Sequence, residues 1–249
     1  MISKIIWSYW EGKDNNIVNI CRGSWYQHAY DWDIIILNEE TVTSYGIEFP
    51  KTLTQLSPAA KSDIIRLRFL EKYGGLWLDA SVMLHSNLNW LRSHSILNGL
   101  NEIYQYKISY QPWFESNFIF SPKPYNNSIT RWANLLHEIL EYWPTCTKHW
   151  VYKDVIYVYK PEYFMVYQSQ MYLMDKESDF KHPKKIPVNG FGAIIPFILP
   201  SSFEPRYFTK FVGTGRKICQ IQLYLNNILI IVILILVIKY IVNFCFKWL

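Results

Sequence analysis

Asp63 and Arg66 stand three residues apart, and Asp79 follows after a short apolar stretch, Leu76-Trp77-Leu78. On a helix, a spacing of three puts two side chains on one face. A carboxylate at the carboxyl end of a buried strand sits where open α/β sheets place their ligands. There it can bind a divalent cation, and a cation can neutralise a diphosphate leaving group. The same spacing also suits a plain ion pair on a helix surface and an aspartate that only begins a loop. The residues alone leave both readings open.

The elements that must position these side chains have a clear local grammar. Ser57 is a good N-cap and Pro58 suits the first helical position. Ile64, Leu67, Phe69 and Leu70 supply an apolar face, and Gly74 accepts the left-handed conformation that stops a helix. This predicts a helix over 58–73 and a strand over 76–78. Elsewhere the pattern predicts strands at 3–7, 33–37 and near 117–120. Helices are expected near 16–29, 39–45 and 127–142. Short apolar strands alternating with helices indicate an α/β sheet.

The chain has 249 residues, which fits one large α/β domain and an appendage. Half of the residues are hydrophobic, enough for a substantial core. Net charge is +5 with the charges dispersed, so no Lys/Arg tract points to nucleic acid. Cys21, Cys146, Cys219 and Cys245 lie far apart, with neither zinc-site nor disulfide-framework spacing. His85 is read as an ordinary packed or solvated side chain. Asn126-Asn127-Ser128 is a formal glycosylation sequon that a cytosolic domain would not use.

The C-terminal part differs from everything before it. Ile228 through Ile238 are all Ile, Leu or Val, and no charge appears from Ile218 through Ile238. A helix needs ~20 residues to cross the hydrocarbon core, and Leu223 to about Val242 is long enough. The aliphatic run contributes roughly −3 to −7 kcal/mol to insertion, against about +3 kcal/mol for a central lysine. Lys239 is off-centre and can snorkel, which lowers that cost. The N-terminal apolar run is too short for a signal peptide. The expectation is a domain over 1–217 and a transmembrane tail anchor over 221–246, with the domain on the cytosolic side.

The pattern S-D-x-x-R followed by Y-G-G-x-W-x-D-A-S, carried by Ser62 through Ser81, resembles the capsular polysaccharide synthesis protein family. That family is similar to DXD-containing glycosyltransferases of the yeast mannosyltransferase and clostridial glucosylating-toxin type. Ile5 through Gly12 resembles the family's opening strand, and Ser116 through Pro122 a later segment before a long helix. Tyr163 through Tyr167 and Lys210 through Lys217 are weaker echoes.

The resemblance implies a GT-A-like fold, one domain that binds a nucleotide sugar. Asp63 and Arg66 would grip the donor sugar, the arginine through the several fixed hydrogen bonds of its fork. Asp79 would match the first aspartate of the DXD motif, at the ribose and a Mn²⁺ or Mg²⁺ ion. Ser81 stands where a full DXD has its second aspartate, so any metal ligation there falls to a neutral oxygen or a water. Trp7 or Trp10 would stack on the base, Trp10 being preferred because it precedes the turn at Gly12.

The stretch Lys210 through Lys217, with Arg216, can close over a departing diphosphate, or can be a basic patch beside the anchor. The expected reaction is glycosyl transfer, with retention at the anomeric carbon, to a glycan or lipid-linked acceptor hydroxyl. The alternative is a non-catalytic membrane scaffold of the same fold that binds a nucleotide sugar.

Overall fold

A computed structural model describes residues 1–107, 113–141, 161–186 and 208–210. Its centre is a six-stranded mixed sheet in the order β2-β1-β3-β6-β5-β7. The strands are β1 (Ile5–Tyr9), β2 (Asp33–Leu37), β3 (Gly75–Leu78), β5 (Tyr104–Gln105), β6 (Phe118–Ser121) and β7 (Lys184–Lys185). β2, β1 and β3 run parallel, and β6 is antiparallel to β3. A separate antiparallel pair joins β4 (Val82–Leu84) to β8 (Phe208–Lys210).

Strand alternation explains why β1, β3 and β6 are largely apolar. Trp7, Trp77 and Ile119 face one core, with residues of α3 (Pro58–Tyr73), α5 (Asn127–Glu141) and α6 (Pro161–Lys176). Ile6, Leu76, Leu78, Phe118 and Phe120 face the other, with α1 (Asn16–His28), β4 and α4 (Asn89–Asn98). A sheet covered on both faces favours apolar residues on both sides of its central strands. The expected α/β organisation is therefore present as helices on both sides of a mixed sheet.

α3 forms where its grammar predicts. The Ser57 side chain accepts from the Ala60 N–H at 3.4 Å, Pro58 opens the helix, and Gly74 ends it at φ 64°. Gly75 then lets β3 approach β1. Its φ is 96°, and a Cβ there would lie 2.5 Å from the Ile5 carbonyl oxygen. Gly75→Ala therefore adds both backbone strain and a clash with main chain. We expect it to cost at least about 2 kcal/mol, read as a lower urea midpoint.

Among the described residues no helix is long and apolar enough to cross a membrane. The segment 221–246 expected to do so lies outside the described residues, as does Arg216.

Candidate active site

The parallel strands β1, β2 and β3 end at one edge of the sheet, and β6 begins there. Asp79 leaves β3 at this edge, its N–H donating to the Asn117 carbonyl at 3.0 Å. The Val82 N–H bonds back to the Asp79 carbonyl at 2.9 Å, so Asp79 through Val82 form a tight turn into β4. Ser81 lies within that turn and is 7 % exposed.

Arg66 reaches this edge from α3. It is 3 % exposed, and its guanidinium joins both acids. Nη1 pairs with Asp63 Oδ1 at 3.1 Å and donates to the Ser116 carbonyl at 2.7 Å. Nη2 pairs with Asp79 Oδ1 at 2.8 Å. The guanidinium also lies over the Trp77 ring, 5.3 Å from its centroid, and the Trp77 indole N–H donates to Asp79 Oδ1 at 2.9 Å. The helix face and the strand end proposed from sequence are thus one constellation, with Arg66 at its centre. Burial raises the strength of such contacts and also the cost of breaking them.

The other expected site residues fall in three places. Trp7 is in the core, its indole N–H donating to the Gly74 carbonyl at 2.9 Å. Trp10 is only partly buried, just past β1, and lines a cavity of about 540 Å³ with Glu11, Gly12, Asn38 and Glu39. The main chain of Lys210 pairs with Val82, which brings β8 beside the Asp79–Val82 turn.

Two groups of side chains escaped sequence reasoning. Lys61 is 7 % exposed and bridges Glu11 and Glu39, with Tyr9 hydrogen-bonded to Glu11. Its one signal was a lone cation in the apolar start of α3. Beyond Asp79, Asn117 exchanges hydrogen bonds with the Tyr106 hydroxyl at 3.0 and 2.9 Å and donates to Glu115 at 3.2 Å. Nothing in the spacing of Tyr106, Glu115 and Asn117 predicts that network, because β5 and β6 must pair before it exists.

Asp79 fits a divalent cation that takes its other ligands from a diphosphate and water, as magnesium commonly does. Among the described residues there is no group of three acidic, histidine or cysteine side chains to cage an ion by itself.

Two solved structures are similar to this chain. One is the PaToxG glycosyltransferase, at 14% identity and TM-score 0.43, covering 70% of this chain and 70% of that one. The other is a glycosyltransferase involved in the glycosylation of the major capsid of PBCV-1, at 11% identity and TM-score 0.49, covering 84% of this chain and 92% of that one. No curated protein matches the chain. The profile described as capsular polysaccharide synthesis protein matches residues 1–189, which carry the whole Asp63–Arg66–Asp79 constellation, and the chain belongs to that family.

Proposed function

We propose that this protein is a glycosyltransferase that moves a sugar from a nucleotide diphosphate donor to a glycan or lipid-linked acceptor hydroxyl, with retention at the anomeric carbon. The observation that carries the reading is the meeting of Asp63, Arg66 and Asp79 at the carboxyl edge of the parallel strands. That edge is where open α/β sheets bind nucleotides. Family membership supports the same chemistry.

In this reading residues 1–217 form a GT-A-like domain with a DXD-like turn at Asp79–Ser81. Asp63 accepts hydrogen bonds from donor sugar hydroxyls. Arg66 holds both carboxylates in place and sets their field at the leaving group. Asp79, with Ser81 in the same turn, faces the diphosphate. A Mn²⁺ or Mg²⁺ ion held by Asp79 and the phosphates would neutralise charge as the nucleotide departs. Lys210 and Arg216 supply positive charge for the diphosphate, and Trp10 contacts the base. Segment 221–246 anchors the domain in a membrane, on the cytosolic side, near lipid-linked acceptors.

The test is donor hydrolysis and binding by the full chain in detergent or membranes. Nucleotide sugars are screened with and without Mn²⁺, and the membrane fraction is washed with carbonate. Turnover of one donor, by protein that stays in the washed membranes, is expected. Binding without turnover of any donor, acceptor present, favours the scaffold reading that Ser81 suggests. No binding of any nucleotide sugar sinks the proposal.

A further inference from the structure

A second charged cluster lies at the same edge, on the β1–β2 side. Lys61, in the first turn of α3, donates from Nζ to Glu11 Oε1 at 3.1 Å and to Glu39 Oε1 at 3.1 Å. Glu11 lies just past β1, and Glu39 opens the short helix α2 (Glu39–Val42) just past β2. One ammonium therefore ties together the two loops that leave β1 and β2 and the helix that carries Asp63 and Arg66. Burial pulls the Lys61 ammonium down, but hydrogen bonds to Glu11 and Glu39 outweigh it and hold the group above the usual lysine value. Burial, and then the Glu11 carboxylate, push the Tyr9 phenol up, so it stays protonated and donates to Glu11.

The two loops are the walls of the cavity of about 540 Å³. This lies within the roughly 300–1,000 Å³ of ordinary small-ligand pockets. Trp10 lies at its wall, partly buried, with an indole ring on which a nucleobase can stack. Ribose hydroxyls are donors suited to the carboxylates of Glu11, Glu39 and Glu40 in the same walls.

We propose that Lys61 is a positioning residue for the nucleoside end of the donor: by pairing with Glu11 and Glu39 it holds the loops after β1 and β2 at the separation that admits base and ribose. The inference rests on the nucleotide-sugar reading above. Among the described residues the partners of the Lys61 ammonium are protein carboxylates, so its loss acts on donor affinity and leaves the chemical step alone.

The full chain is titrated with ADP, CDP, GDP and UDP by tryptophan fluorescence. KM and kcat are then measured for the donor that the wild type hydrolyses. Lys61→Met should raise Kd for the preferred diphosphate, and KM with it, by about 10–100-fold, with kcat within about twofold of wild type. Lys61→Arg should restore most of the affinity. Glu39→Gln, at a side chain that is 66 % exposed, cannot disturb the core and should raise Kd about 3–10-fold even if Lys61→Met fails to fold.

Unchanged Kd in Glu39→Gln and in folded Lys61→Met, or a fall in kcat at constant Kd, overturns the positioning role while the donor reading stands. A wild type that binds none of the four diphosphates overturns both.

Discussion

Asp79→Ala should lower donor turnover by about 10²–10³-fold, the usual loss when one preorganised charge is removed from a transition state. The protein should stay folded. Asp79 stands at the end of β3 with its side chain 23 % exposed, and its removal leaves Arg66 paired with Asp63 and bonded to the Ser116 carbonyl. The Trp77 indole N–H does lose its acceptor, at about 1–2 kcal/mol, or a few degrees in melting temperature for a domain of this size. Asp79→Asn separates charge from geometry. It can still accept from Arg66 and Trp77, so it should melt closer to wild type than Asp79→Ala while turnover falls almost as far. Single-turnover donor hydrolysis beside a thermal melt reads both quantities. Turnover within threefold of wild type in a folded Asp79→Asn protein would remove Asp79 from the chemistry.

The helix that carries the site was legible because its signals are local. Ser57, Pro58 and Gly74 punctuate α3 at its ends, and the strand Asp33–Leu37 is a plain apolar run after a turn. The elements that escaped have no such punctuation. α4 starts after Leu88, which offers no side-chain cap. β4, β5, β7 and β8 are two or three residues long and exist only because a distant strand pairs with them. α6 hides a run that reads as solvent-facing, Gln168-Ser169-Gln170. Ser169 accepts from the Trp132 indole at 2.9 Å and Gln170 donates to Gln105 at 2.6 Å, so the run is buried among partners far away in sequence.

The site divides along the same line. Asp63 and Arg66 share a helix face by simple periodicity. Their junction with Asp79 depends on how deeply α3 packs on β3, and Lys61 has a role only once β1 and β2 lie side by side.

Arg66→Met should destabilise the fold by about 3–5 kcal/mol, the largest stability effect expected of any single change at the site. The reason is what it leaves behind. Asp63 and Asp79 have side chains only 14 % and 23 % exposed, and both look to the Arg66 guanidinium for their counter-charge. Methionine fills the space but leaves two carboxylates crowded in a poorly solvated edge, and strands the Ser116 carbonyl. Lysine keeps the charge but has one compact head where the guanidinium fork serves Asp63, Asp79, the Ser116 carbonyl and the Ser62 hydroxyl, so Arg66→Lys should recover only part of the loss.

The mechanism makes a non-additive prediction that simple loss of packing does not. Asp63→Asn placed on top of Arg66→Met removes one of the stranded charges. The double variant should therefore lose less stability than the sum of the two single changes, by about 1–3 kcal/mol. Urea unfolding of the four proteins completes the cycle. Additive losses would mean that the two carboxylates recover solvent when Arg66 goes, and that the guanidinium holds α3 to the sheet by packing on Trp77 and its bond to the Ser116 carbonyl. A positive coupling would mean that one buried charge both fastens the helix to the sheet and, on the proposed reading, sets the field that the diphosphate meets, so that this protein cannot tune that site without also tuning its fold.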